Sequence, residues 1–209
     1  KEFRFIYPVL PIVFIYVGAT CQHLLRSSQR TSFVKSIIVI STVLQAVMMV
    51  YFGKFHQRGT MAAMSELRTR VKSVDTVYFL MPCHHAPSYS HLFDYQVNSS
   101  DVGHRNVCLR HLDCSPYFGS DATSYEEEQD IFFRDPSTFL QEQFPDEDSN
   151  LPSHLVMYAD LKPRVEQFLH RYHYRERNKL FHMVFPHVHD RRMSEHVLIL
   201  ERATNTNNR

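Results

Sequence analysis

Several residue types and motifs that mark common functional classes are scarce in this sequence. It has no tryptophan, 5 glycines and 4 cysteines among 209 residues. Loops that cradle phosphates need closely spaced glycines, and neither G-x-G-x-x-G nor G-x-x-x-x-G-K-[ST] occurs. Four cysteines are also too few for a fold that is built on disulfides. The sequence therefore argues against a nucleotide-binding loop and against a small disulfide-built protein.

Charge and metal-binding patterns exclude two further classes. The chain has 23 basic and 22 acidic residues, so its net charge of +1 provides no field to attract nucleic acid, and no nucleic-acid partner is expected. The 14 histidines are densest at Cys83-His84-His85 and at His187-x-His189. Because H-E-x-x-H and C-x-x-C spacings are both missing, we expect no metal site.

Two long apolar runs stand at the beginning of the chain. Residues 5–21 and 36–53 carry no charged side chain and show no polar stripe of helical period. Each run is about long enough to cross a bilayer. They predict two transmembrane helices, at about 5–21 and 34–53, within a membrane region at 1–54; two buried helices of a soluble protein are the alternative. Pro8 and Pro11 in the first run imply packing against further spans outside this chain.

The link between the runs sets the expected topology. Arg26 and Arg30 lie in it, and basic links favour the cytosolic side, which places everything after the second run in the lumen. The glycosylation sequon Asn98-Ser99-Ser100 agrees with a luminal position. The chain begins at Lys1 without an initiator methionine, so we expect it to be the C-terminal portion of a longer protein.

Residues 55–203 have the mixed pattern of a folded α/β domain, followed by an expected flexible tail at 204–209. In an oxidising lumen Cys83 could pair with Cys108 or Cys114, and the spacing does not decide between them. The predicted elements are a helix at 60–74 with Thr60 as N-cap, strands at 76–81, 155–158, 180–185 and 197–200, a short helix opened by Asp135-Pro136, and a helix capped by Asp160.

Two charged clusters flank the predicted spans. Lys1-Glu2-Phe3-Arg4-Phe5 precedes the first, and His56-Gln57-Arg58-Gly59 follows the second. Basic and aromatic residues commonly anchor a helix at the membrane interface. Arginine and lysine at a membrane surface can also hold the phosphate of a lipid carrier. Both interpretations remain open from the pattern alone.

The opening segment Lys1-Glu2-Phe3-Arg4-Phe5-Ile6-Tyr7-Pro8 resembles the H-K-E-x-R-F-x-x-P signature of the glycosyltransferase family 22 mannosyltransferases. These are multi-spanning enzymes of the endoplasmic reticulum membrane with the GT-C fold. Residues 56–60, 79–84 and 151–155 (HQRGT, FLMPCH and LPSHL) are similar to the branch of the family that acts on GPI-anchor precursors. The resemblance runs from residue 1 to about 202 and implies the last two transmembrane helices of a GT-C fold plus a C-terminal luminal α/β domain.

The resemblance also implies a reaction and its participants. The third mannose would pass, in an α1,2 linkage and with inversion, from dolichyl-phosphate mannose to a GPI precursor, without a cofactor. The acidic base of GT-C enzymes lies in the first luminal loop, so the catalytic residue is unknown here. A mannosyltransferase of N-glycan assembly or a non-catalytic luminal binding or assembly module are the alternatives. The candidates for binding substrate or phosphate are Lys1, Glu2, Arg4, His56, Gln57 and Arg58.

Overall fold

The computed structural model describes residues 8–27, 31–72, 75–92, 107–115, 125–146, 150–184, 186 and 192–203. The chain divides into two compact units, Lys1–Gly53 and Lys54–Arg209. The sequon at Asn98 and the tail at 204–209 lie outside the described residues, so both predictions about them stay predictions.

The first unit contains two helices, α1 (Leu10–Ser27) and α2 (Thr31–Lys54). Among the described residues, the stretch Ser32–Arg70, which comprises α2 and the helix after it, contains a segment apolar enough to cross a membrane. None of that segment is buried. The apolar helix Leu10–Arg26 is shorter than a membrane-spanning helix normally is, so the predicted first span stays a prediction. Both helices expose large apolar side chains, which in water would be costly, so they require lipid or protein around them.

The second unit is built on a five-stranded mixed sheet. Its strands are β1 (Thr76–Leu80), β2 (Cys108–His111), β3 (His154–Tyr158), β4 (Tyr174–Phe181) and β5 (His196–Arg202). In the spatial order β2-β1-β3-β5-β4, they combine parallel pairs (β1 with β2 and β3) with antiparallel pairs (β5 with β3 and β4). The carboxyl ends of β1, β3 and β4 consequently lie at the same edge of the sheet.

Helices cover both faces of this sheet. The helix α3 (Arg58–Arg70) and the short α4 (Ser88–Leu92) pack on one face, with Val77 and Phe79 of β1 in that core. Tyr78 and Leu80 point to the opposite core because successive side chains alternate across a strand. The domain is therefore a three-layer α/β/α sandwich. The second layer of helices consists of α5 (Glu128–Arg134), α6 (Pro136–Gln143) and α7 (Glu166–Arg171).

Most of the predicted elements of the α/β domain are confirmed, with local corrections. The side chain of Asp135 accepts a hydrogen bond from the Thr138 amide at the start of α6, as its pairing with Pro136 predicts. Thr60 is not an N-cap, because α3 begins two residues earlier and Thr60 is buried within it. A 3-10 helix, Ala159–Arg164, precedes α7, so Asp160 is not the cap of an α-helix. The strand predicted at 180–185 instead runs over Tyr174–Phe181.

Candidate functional site

The segment His56-Gln57-Arg58-Gly59, here called the 56–59 turn, joins the end of α2 to the start of α3. Gln57 has a φ of 58° in the left-handed region, and its side chain does not cap α3. The side chains of Gln57 and Arg58 are exposed, whereas His56 is partly buried. Arg58 makes no ion pair with any residue that the structure describes. The turn therefore presents a guanidinium that no described residue neutralises.

Gly59 is fixed in this turn by a close approach of backbone. A Cβ atom at this position would lie 2.8 Å from the Cβ of His182 and 3.0 Å from the carbonyl oxygen of Phe181. The neighbouring atoms belong largely to the backbone at the end of β4, which cannot rotate away as a flexible side chain can. Glycine is therefore required here for lack of space.

Tyr158, His85 and His182 form a polar cluster, here called the Tyr158 cluster, at the edge where β1, β3 and β4 end. The hydroxyl oxygen of Tyr158 lies 3.1 Å from Nδ1 of His85 and 3.3 Å from Nε2 of His182. Tyr158 and His182 are each only 2% exposed. The carboxyl edge of a sheet with parallel strands is a common place for binding sites, and the Tyr158 cluster stands at that edge beside the 56–59 turn.

The environment of His182 keeps its imidazole neutral. Burial, together with the nearby charges of His85 and His56, lowers the pKa of His182 to about 4. In a neutral ring, Nε2 can either accept from or donate to the Tyr158 hydroxyl, depending on the tautomer.

This pKa predicts that acidification weakens the α/β domain. As the pH falls below 6.5, the unfolded chain takes up a proton at His182 that the folded chain accepts only near pH 4. The free energy of unfolding should therefore decrease between pH 6.5 and pH 4, by up to about 3 kcal/mol from this group. Urea midpoints of the purified protein, followed by near-ultraviolet circular dichroism of its tyrosines, would measure the slope. The variant His182→Gln, which cannot titrate, should flatten it; an unchanged slope would contradict the assignment.

A disulfide ties the same edge of the sheet together. Cys83, in the turn after β1, is bonded to Cys114, which follows β2, with Cα atoms 6.3 Å apart. Because β1 and β2 are parallel neighbours, the segments that leave them begin side by side. Cys108, the other partner left open by the sequence, is a free and exposed cysteine at the start of β2.

The structure thus brings together some of the sequence-derived candidates and leaves others apart. His56, Gln57 and Arg58 form the 56–59 turn, whereas Lys1, Glu2 and Arg4 lie outside the described residues. Among the described residues, no group of three or more histidine, cysteine or acidic side chains is arranged to hold a metal ion. The sequence reasoning missed Tyr158 and His182. The available signal was a polar aromatic ring at the end of an apolar segment: Tyr158 ends LVMY (155–158), and His182 lies in LFHM (180–183).

Comparison with known proteins connects these features to a family. The model of the Alg9-like mannosyltransferase family matches residues 1–93. The chain is 32% identical over 97% of its length to GPI alpha-1,2-mannosyltransferase 3 of Xenopus laevis, of which it covers 34%. It is 33% identical over 98% of its length to the protein of the same name from Danio rerio, of which it covers 35%.

A more distant organism gives the same result. The chain is 31% identical over 97% of its length to Mannosyltransferase APTG1 of Arabidopsis thaliana, of which it covers 38%. The chain spans about a third of the length of the curated relatives it matches. No solved structure matches it significantly. The family model covers the first 93 residues and relatives from three organisms align along nearly all of the chain, so the chain is similar to Alg9-like mannosyltransferases along nearly its whole length.

Proposed function

We propose that the protein transfers a mannose, in an α1,2 linkage, from dolichyl-phosphate mannose to a GPI-anchor precursor, adding the third mannose with inversion. The observation that carries this proposal is the alignment of about 97% of the chain with relatives named GPI alpha-1,2-mannosyltransferase 3. Such a transfer needs a base for the acceptor hydroxyl and stabilisation of the leaving phosphate, and no cofactor. The base is proposed to lie in a part of the enzyme other than this chain.

The proposed setting is the endoplasmic reticulum membrane, with residues 55–203 in the lumen. Two helices, at about 5–21 and 34–53, would cross the bilayer and pack against further spans of the enzyme. The Cys83–Cys114 disulfide supports the luminal position of the α/β domain, because disulfides persist in oxidising compartments. Glycosylation of Asn98 in cells would test this orientation independently.

The 56–59 turn is proposed to contribute to binding of the lipid-linked donor. Arg58 is exposed, lacks an ionic partner among the described residues and follows α2 by only a few residues, which suits a guanidinium that meets a phosphate at a membrane surface. Lys1 and Arg4 are proposed to bind phosphate in the same way, with Glu2 pairing to a neighbouring cation. His56 and Gln57 would contact sugar hydroxyls.

We expect Arg58→Ala to lower kcat/KM for the donor about tenfold, because a charge-assisted hydrogen bond to phosphate would be lost. Arg58→Lys should recover only part of this loss, since lysine keeps the charge and not the two-pronged geometry. Thermal stability should change little because the side chain is exposed. The assay is transfer of labelled mannose by the complete protein in detergent. Arg4→Ala, measured in parallel, tests the second phosphate contact; normal activity of both variants would contradict the proposed roles.

The same assay separates the alternative functions. Transfer to a GPI precursor that lacks its third mannose, with a product sensitive to an α1,2-mannosidase, is the expected result. Transfer to a lipid-linked N-glycan precursor instead would favour an N-glycan mannosyltransferase. Failure with both acceptors, with a well-folded protein, would favour a non-catalytic luminal module.

A further inference from the structure

We propose that Tyr158 and His182 are positioning residues, which hold the 56–59 turn in the geometry that donor binding requires. This inference rests on the proposed function for its kinetic consequence and on the fold alone for its structural one. Neither residue touches the reacting atoms in this proposal; both act through Gly59 and the turn.

His182 contacts the 56–59 turn at Gly59. The Cα and Cβ atoms of His182 lie against Gly59, closely enough that no side chain fits between them. The backbone amide of His182 donates to the carbonyl oxygen of Glu195 at 2.7 Å, which fixes the path of the chain after β4. The imidazole ring is covalently attached to these atoms, so a hydrogen bond that holds the ring also resists displacement of Cα and Cβ. Holding the ring therefore helps to keep the Cα and Cβ atoms that contact Gly59 in place.

One side-chain hydrogen bond holds the ring of His182. Nε2 of His182 pairs with the hydroxyl of Tyr158, whereas Nδ1 is buried without a partner among the described residues. The rings of Tyr158 and His182 also contact each other, with centroids 5.3 Å apart. In the described part of the structure, the Tyr158 hydroxyl is thus the polar group that orients His182.

The Tyr158 hydroxyl is shared between His85 and His182. One hydroxyl proton serves one acceptor, so Tyr158 donates to a ring nitrogen of either His85 or His182 and accepts an N–H from the other. This arrangement joins the turn after β1, the end of β3 and the end of β4 through one oxygen atom. The motif at 56–60 is thereby connected, through His182 and Tyr158, to His85, the residue that directly follows the motif at 79–84.

The decisive comparison is Tyr158→Phe against Tyr172→Phe in the complete protein. Each change removes one buried hydroxyl: that of Tyr172 donates to the carbonyl oxygen of Phe144 at 2.8 Å, in the core on the opposite face of the sheet. Similar losses of thermal stability are therefore expected from both. Only Tyr158→Phe should raise KM for dolichyl-phosphate mannose, on the order of tenfold, with a smaller effect on kcat, because only the donor-binding turn is loosened.

A second pair of variants identifies the ring nitrogen that matters. The amide of glutamine can reach the position of Nε2, whereas that of asparagine reaches only the position of Nδ1. We therefore expect His182→Gln to retain a KM close to the wild-type value and His182→Asn to show the raised KM of Tyr158→Phe. The reverse order would show that Nδ1, and not the bond to Tyr158, positions the ring, and would overturn the proposal.

Hydrogen exchange distinguishes a failure of this inference from a failure of the proposed function. Backbone amides of residues 57–60 should exchange several-fold faster in Tyr158→Phe than in Tyr172→Phe, whether or not the protein transfers mannose. Equal exchange rates in the two variants, or an unchanged KM in an active Tyr158→Phe enzyme, would overturn the positioning role. An inactive wild-type protein with the expected exchange difference would reject the proposed function alone.

Discussion

Gly59→Ala is expected to lower transferase activity on the order of 100-fold and to destabilise the α/β domain by about 1 to 3 kcal/mol. The new methyl group would stand 2.8 Å from Cβ of His182 and 3.0 Å from backbone atoms of Phe181 and His182. These atoms end a strand in the sheet, so the clash has to be relieved by movement of the 56–59 turn. Arg58, the adjacent residue, would move with it. Activity and the thermal midpoint of the complete protein measure the two effects.

Gly53→Ala supplies a matched control. A Cβ added at Gly53 meets nothing within 4 Å, and the residue lies inside α2, where alanine favours the helix over glycine by about 1 kcal/mol. The variant should therefore keep its activity and should keep or slightly raise its thermal midpoint. Equal losses in the Gly53 and Gly59 variants would show that the close contact with His182 is not the cause.

Cys83→Ser and Cys114→Ser are each expected to lower the free energy of unfolding by about 3 to 4 kcal/mol. The bond closes a 31-residue separation in sequence, and its removal returns that loop entropy to the unfolded chain. The loss should appear as a lower urea midpoint and as proteolytic sensitivity of residues that join β1 to β2. Mass spectrometry of the unreduced wild-type protein should find the peptides of Cys83 and Cys114 linked.

Cys108→Ser tests the specificity of this pairing. Cys108 is exposed and unbonded, so its replacement should leave the urea midpoint and the linked peptides unchanged. A Cys83–Cys108 linkage, or a destabilisation by Cys108→Ser as large as that of the other two variants, would contradict the structure.

The class of the C-terminal domain could be predicted from the sequence because its central strands carry unambiguous patterns. The segments TVYFLM, LVMY and VLIL, predicted as strands at 76–81, 155–158 and 197–200, are short and apolar, and they form β1, most of β3 and the central part of β5. Both faces of these strands are buried, so nearly all of their residues are apolar, and the composition alone indicates the burial. Local signals also predicted the start of α6, because an aspartate followed by a proline is typical of a helix N-terminus, as at Asp135-Pro136.

The edge strands could not be recognised in the same way. β4 contains Arg175, Glu176, Arg177 and Lys179, and its pattern resembles a solvated loop. It forms a strand because β5 offers it a full antiparallel ladder, and because Arg177 pairs with Glu201 and Glu176 with Lys162. β2 has four residues and is likewise defined by its neighbour β1. Such strands depend on tertiary pairing more than on local propensity.

The candidate site, too, could be predicted from the sequence only in part. The sequence by itself marked the 56–59 turn, since a histidine, a cation and one of only five glycines follow an apolar run. The partner of Gly59, more than a hundred residues away, is decided by the meeting of β4 with α3. Tyr158 likewise gains its two histidine neighbours only where three strand ends converge.

The apolar runs, the motifs and the central strands were therefore determined by the sequence alone, because each rests on residues close together in the chain. The choice of Cys114 over Cys108, the need for glycine at position 59 and the Tyr158 cluster were decided by the tertiary structure. These depend on distances between segments that are remote in sequence, and such distances exist only once the sheet has set the order and direction of its strands.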